Sequence, residues 1–244
     1  LKTIKKYAIP EDYDIYSEVM KSHQRSSIGN KQIKYYLEQD YRKPKDFESF
    51  LYVGLVLQAE GIKTGIEGHR MNMPYTMGSL YWQLNDCWPS ISWSSIDFFG
   101  NWKALHYKAK KAFKNVLVSS KLENNVLKTF VINDNLTAVT DTLHLKLIDF
   151  SGKELWSFSK EVTVLENSSA LMHELNLEGI DKKNAVLVSS FNNTTSTYYL
   201  AKPKDLKLEQ AEINQEITKT SSGFKIKLSS STLQKDVFLF TKAK

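Results

Sequence analysis

At residue 115 the spacing of apolar residues changes period, which divides the chain into a helical part followed by a β part. Before that point apolar residues recur at helical spacing; after it they alternate with polar ones, as on strands with one buried face. The alternating or β-branched segments are 126–133, 142–150, 154–164, 170–177, 185–191 and 195–201, separated by turn pairs such as Ser151-Gly152 and Asn192-Asn193. Six or seven short strands in about 85 residues fit a β-sandwich of immunoglobulin-like type over 116–203, without the cysteine pair of antibody domains. Residues 201–205, Ala-Lys-Pro-Lys-Asp, read as a linker. Three further strand candidates, 211–218, 223–228 and 236–241, are too few for a closed sandwich, so 204–244 is expected to be the start of a second, truncated one.

The helical part is read segment by segment. Residues 1–45 suggest irregular chain with short helices near 15–24 and 32–39. Asp46, after Pro44, predicts an N-cap for a helix running to about Gly61, with Phe47, Phe50, Leu51, Gly54, Leu55 and Ala59 on one face. Val53, Val56 and Leu57 make a second side apolar, so the helix is expected to be covered from both directions. Gly61, Gly65 and Gly68 are expected to fray its end, and 71–76 reads as a loop. Leu80-Tyr81-Trp82, between Gly78 and the polar pair Asn85-Asp86, predicts a buried strand over 78–84. A helix follows, with Leu105, Ala109, Ala112 and Phe113 at helical spacing.

Helix, buried strand, helix is the order in the last part of an α/β barrel, a (β/α)8 TIM barrel whose complete form needs eight strands and about 250 residues. The alternative, a small independent α-rich domain, leaves the 78–84 strand without a partner. On the barrel reading, residues 1–115 are the C-terminal part of a larger domain. Phe47, Phe50, Leu55, Leu80 and Leu84 are then expected to leave an apolar surface that other parts of the molecule cover.

Charge and cysteine content remove several function classes. The net charge is +6, with 17 Lys+Arg against 12 Asp+Glu in residues 1–118 and 16 against 15 in the remainder. Much of the excess sits in Lys103, Lys108, Lys110, Lys111 and Lys114, which read as the solvated face of a barrel helix, so nucleic acid is not an expected partner. A single cysteine, Cys87, rules out an internal disulfide framework and a cysteine-based zinc site. No apolar run is long enough to span a membrane, and the start at Leu1 with no secretory leader leads us to expect a piece of a longer protein. The five histidines show no catalytic or metal spacing, and there is no Gly-rich phosphate loop.

Four of the five tryptophans, Trp82, Trp88, Trp93 and Trp102, lie in or just past residues 77–93. Such density suits either an aromatic core or a surface that stacks on sugars. The run Met77-Gly-Ser-Leu-Tyr-Trp-Gln-Leu-Asn-Asp86, then Trp88, Ser92-Trp93 and Asn101-Trp-Lys-Ala-Leu-His-Tyr107, resembles the last barrel strand and helix of the β-mannosidases of glycoside hydrolase family two. Gly29-Asn-Lys-Gln32 and Leu57-Gln-Ala-Glu-Gly-Ile-Lys-Thr64 resemble that family in the same order, so the similarity covers roughly residues 20–115. Beyond it the chain resembles the family only in its β-rich character.

The resemblance implies an exo-acting retaining hydrolase that removes terminal β-linked mannose from oligosaccharides and takes no cofactor. Its partners would be the β-mannoside and the rest of its own polypeptide. β-Galactosidase and exo-β-glucosaminidase are sister activities on the same scaffold. A non-catalytic carbohydrate-binding or interdomain β-module is the alternative of a different class. Location stays open, with an extracytoplasmic site for a bacterial source and the lysosome for an animal one.

Glycoside hydrolysis needs two carboxyl groups, about 5 Å apart in retaining enzymes. The family's nucleophile lies in a Ser-Glu-Phe/Tyr-Gly motif. Ser17-Glu18-Val19-Met20 lacks the aromatic-Gly pair and sits in a helical pattern, so both carboxylates are expected outside this chain. What remains is the last strand's contribution. By resemblance, Trp82 is the aromatic floor under the sugar that is cleaved, supporting positive charge at the anomeric carbon through its π-face. A cis peptide is expected between Trp82 and Gln83. Asn85 and Asp86 at the rim either bond sugar hydroxyls or cap the loop, and Trp88 and Trp93 either wall the pocket or pack beneath it.

Overall fold

The structure, a computed structural model, describes residues 1–239. Its described residues are mostly β-sheet with some helices. The helical part holds four α-helices: α1 (Glu18–Gln24), α2 (Gly29–Asp40), α3 (Phe47–Met71) and α4 (Ala104–Ala112). Ser17 caps α1, its hydroxyl accepting from Met20 N at 3.2 Å. Asp46 caps α3 as its position after Pro44 predicts, accepting from Ser49 N at 2.7 Å.

α3 is the longest element, 25 residues, and it does not stop at Gly61. It continues through Gly65 and Gly68 to Met71, although glycine costs about 1 kcal/mol per helix position relative to alanine. The sandwich below compensates. Ile66, Glu67 and Arg70 are buried, Glu67 Oε2 accepts from Ser119 Oγ at 2.6 Å, and Arg70 donates to the carbonyls of Ala112 and Asn115 and to Asp134. Further back along the same face of α3, Ala59 packs against Ala104, Leu105 and Ala109 of α4, and the alanines let the two helices approach closely. A third cluster, Ile4, Met20 and Leu51 with Phe47 and Phe50 at its border, ties the N-terminal turns to the start of α3.

The expected strand over 78–84 is absent. Gly78–Trp82 forms no backbone hydrogen bond with any other described segment, and a strand exists only through such a ladder. Past it, Ser95 N donates to Gln83 O and Leu84 O, and isolated bridges join Asn85 to Ile96 and Ile96 to Trp102. Leu80 and Leu84 are exposed, whereas Phe47, Phe50 and Leu55 lie at the borders of buried clusters, so the expected apolar surface is confined to the extended segment. Met73–Pro74 and Trp82–Gln83 are cis peptides, the second as expected.

Seven strands form the β part: β1 (Val116–Glu123), β2 (Val126–Asn133), β3 (Val139–Asp149), β4 (Glu154–Val164), β5 (Ser168–Asn176), β6 (Ala185–Phe191) and β7 (Thr194–Tyr199). They make two antiparallel sheets, ordered β1-β2-β5 and β4-β3-β6-β7. On β3 the inward residues Leu143, Leu145 and Leu147 alternate with outward His144 and Lys146, and they meet Val118, Leu127, Val131, Leu187 and Phe191 in one core. Asn192 and Asn193, both at positive φ, turn β6 into β7, and Asn124-Asn125 do the same for β1 and β2.

The segment after β7 is more than a spacer. Leu206 is buried with Phe150 and Val186, and Lys202 pairs with Asp40 at 2.9 Å, so it ties the outer face of the second sheet to the end of α2. Beyond it, β8 (Asn214–Thr220) and β9 (Gly223–Ser229) form a separate hairpin. The third strand expected there, 236–241, is not a strand over 236–239, where Lys108 reaches Asp236 and Phe238 packs on the α3–α4 cluster; 240–241 lie outside the described residues.

Candidate functional site

The segment from Met77 to Asp97 leaves α3, passes Trp82 at the surface, folds back at Asp86–Ser94 and returns beside itself. Ser95, fully buried, holds the return. Its N–H is shared between the carbonyls of Gln83 (2.9 Å) and Leu84 (3.2 Å), and its hydroxyl donates to Leu84 O at 2.8 Å. Having given its only proton, Ser95 Oγ accepts from Tyr81 Oη and from His106 Nδ1, each at 3.1 Å. Both neighbours of Trp82 are therefore fastened, while Trp82 itself remains 72% exposed.

Asp86 is not a rim carboxylate. Its side chain is buried, Oδ1 accepts from Ser92 Oγ at 2.5 Å, and Oδ2 accepts from Ser94 Oγ at 2.7 Å and from Lys103 Nζ at 3.1 Å. Of the two roles open to it in the sequence, capping the loop is the one its geometry serves. Lys103 is the residue the sequence reading misassigned: it sits at the N-cap of α4 with its side chain buried, away from the solvated lysines. Its three N–H bonds go to Asp86, Ser92 (3.1 Å) and Ser94 (2.7 Å). Burial pulls its pKa below the usual lysine value, and the Asp86 charge offsets only part of that.

Asn85 stays exposed at the bend, its side-chain amide donating to Asp86 O at 3.4 Å. Trp88 packs on α1: Nε1 donates to His23 O at 3.1 Å and its ring stacks on the His23 ring, centroids 5.0 Å apart. Arg25 covers it with the guanidinium 4.8 Å from the ring centroid. Trp93 borders an apolar cleft between α3 and the returning loop, lined also by Phe50, Leu55, Ile91 and Lys103; Trp82 is not part of that cleft. Trp102 packs on His106 and Tyr107 of α4.

Asp97 closes the motif, accepting from Thr3 Oγ1, from Phe99 N at 2.9 Å and from the backbone and side chain of Asn101. Partial burial raises its pKa, but those hydrogen bonds outweigh it and hold the carboxyl below the usual aspartate value. Glu18 projects into solvent from the first turn of α1 and, among the described residues, pairs only with Lys21 at 3.0 Å. Cys87 is a free, exposed thiol. Among the described residues no group of three or more His, Cys, Asp or Glu is placed to hold a metal, and no helix is long and apolar enough to cross a membrane.

Residues 125–205 match the family model described as the mannosidase Ig/CBM-like domain. The β-mannosidase of Capra hircus is 32% identical over 145 residues, covering 54% of this chain and 16% of that protein. That of Rattus norvegicus is 26% identical over 259 aligned positions, 94% of this chain and 29% of that protein. The crystal structure of a β-D-mannosidase from Dictyoglomus thermophilum superimposes with a TM-score of 0.88 at 28% identity, over 95% of this chain and 30% of that one. An exo-chitosanase from Amycolatopsis orientalis shares the fold, with a TM-score of 0.74 at 18% identity over 94% of this chain and 32% of that one. The chain thus spans less than a third of the length of each of these relatives. It is a partial, C-terminal-type segment related in sequence and in fold to the β-mannosidases of glycoside hydrolase family two.

Proposed function

We propose that this chain is the C-terminal part of an exo-acting, retaining β-mannosidase, and that it supplies the aromatic floor of the sugar site while the two catalytic carboxylates come from residues outside it. In this reading residues 1–115 complete a (β/α)8 barrel, 116–203 form an immunoglobulin-like sandwich docked beneath it, and the β8–β9 hairpin begins a second β-domain. The partners are the β-mannoside and the remainder of the same polypeptide.

One observation carries the proposal. Trp82 presents its ring to solvent from a segment whose two flanking residues are fastened by Ser95, in a chain that superimposes on a β-D-mannosidase over nearly its whole length. A free-standing module would have little reason to leave Leu80, Trp82 and Leu84 uncovered on an unpaired extended segment. A pyranose has one face of C–H groups, and an indole stacked on it excludes water and stabilises an anomeric centre that becomes positive. Asn85, exposed three residues further along, is the side chain we assign to a sugar hydroxyl; Asp86 shapes the loop, and Trp88 anchors it to α1.

Hydrolysis of an aryl β-mannoside by this chain and by the longer protein, at equal concentration, tests the proposal. Activity is expected in the longer protein alone, because a floor without acid and nucleophile neither protonates the leaving group nor captures the sugar. Turnover by the chain that disappears in Glu18→Gln would place the nucleophile at Glu18 and overturn it.

A further inference from the structure

We propose that the buried Asp86–Ser92–Ser94–Lys103 network is a positioning device for Trp82, fixing the height and tilt of its ring against the sugar from below. The inference rests on the floor role given to Trp82 above and adds the residues that hold it. Asp86 and Ser94 stand at the two ends of the bend with Ser92 inside it, Ser94 precedes the residue that fastens Gln83 and Leu84, and Lys103 opens α4. The same lysine acts twice, since its backbone N–H also donates to Ser95 O at 2.9 Å. Through Ser95, the imidazole of His106 on α4 connects to the Tyr81 hydroxyl. The bend after Trp82 is therefore tied to the start of α4 through the side chain and backbone of Lys103 and through the side chain of His106.

Why this is more than loop packing follows from the bonding inventory. Asp86 and Lys103 are buried to 4% and 10% side-chain exposure, so neither charge is free to meet a ligand. All three ammonium protons are used within the network, and Asp86 accepts three bonds. A buried ion pair of this kind adds little to stability compared with apolar residues of the same volume, yet it admits only one arrangement of its partners. That selectivity has a use at a group which must stay aligned while exposed. Trp82 is mostly exposed, so its own packing holds it only weakly, and misplacing a site group by about 1 Å can cost 10²-fold in rate. The remaining lysines of α4 offer a contrast: Lys108 pairs with Glu60 and Lys110 and Lys111 are exposed, and none reaches this loop.

A double-mutant cycle in the full-length protein, read as kcat/KM on an aryl β-mannoside, tests the inference. Lys103→Met should lower kcat/KM by about 10- to 100-fold in the native background, but by less than about twofold when Trp82 is already alanine, because the lysine acts only through that ring. Equal losses in both backgrounds would indicate a general structural role and overturn the inference, as would an unchanged Lys103→Met enzyme. If Trp82→Ala alone leaves kcat/KM unaltered, the floor reading falls and this inference with it; if Trp82→Ala is impaired and Lys103→Met is not, only the inference falls. Should Lys103→Met fail to fold, Ser92→Ala and Ser94→Ala, which keep the ion pair, enter the same cycle and decide by the same non-additivity.

Discussion

Ser119 on β1 donates its hydroxyl to the Glu67 carboxylate of α3 at 2.6 Å, with both residues buried where the longest helix meets the sandwich. One turn further on, Arg70 reaches Asp134 at 2.8 Å and the carbonyls that follow α4. Arg70→Ala should therefore destabilise the chain by about 1–3 kcal/mol, because the buried Ala112 carbonyl loses its donor and two part-buried acceptors lose theirs. Ser119→Ala should cost less, since Lys63 remains 3.6 Å from Glu67. Urea unfolding measures both, and an Arg70→Ala midpoint equal to that of the parent chain would remove the junction from the account.

The sandwich core sets a larger scale. Leu187 faces Leu147 across the β3–β6 ladder and is essentially inaccessible, so Leu187→Ala should cost about 2–5 kcal/mol through lost burial and the cavity left behind. A loss below about 0.5 kcal/mol, the ordinary range for surface changes, would mean that this core is not packed as described.

Leu80 provides a differential test of the proposed barrel. It is fully exposed in this chain, so Leu80→Ser should leave the chain's stability within about 0.5 kcal/mol. In the longer protein, where barrel neighbours would cover it, the same change should cost about 1.5–3 kcal/mol. Equal small effects in both would argue that nothing packs on this segment.

Trp82→Ala in the longer protein should reduce kcat/KM by about 10²-fold, the scale of loss when a group that stabilises developing charge is removed. Wild-type kinetics in this variant would withdraw the floor assignment. Trp88→Phe should matter less for turnover, because Trp88 is engaged with His23 and Arg25.

Acid should loosen the N-terminal end of the structure. The Asp97 carboxyl is held below its ordinary value of 3.8, so its ionised form adds stability that is complete above that value and is lost as the pH falls through the lower folded pKa. Asp97→Asn should flatten the part of the stability curve that lies below about pH 4, and an unchanged acid limb would assign the loss to other carboxylates.

Much of this was legible in the residues. The segments 126–133, 154–164 and 185–191 coincide with β2, β4 and β6, because each is rich in β-branched and aromatic residues between turn signals. Strand β1 carried no such signal: Ser119 and Ser120 interrupt it, and both are buried only because Glu67 and Thr129 supply partners from elsewhere in the chain. The continuation of α3 past Gly61 was hidden for the same reason, since Glu67 and Arg70 look like surface residues until the sandwich is placed beneath them. Lys103 looked like one more solvated lysine, and its single distinguishing sign was its place just ahead of the first apolar residues of α4. The 78–84 segment has the composition of a strand and lacks one, as a ladder needs neighbours and composition does not supply them.

The 25 residues of α3 also have a mechanical meaning. At 1.5 Å per residue the helix is a rod of about 37 Å. Its first turns border the cleft beside Trp93, through Phe50 and Leu55, and its last turn is latched to β1 and to Asp134. Rocking the sandwich by about 5° would swing the far end of such a rod by about 3 Å. One continuous helix thus links the orientation of the sandwich to the wall of the cleft, with Glu67 and Arg70 forming the joint.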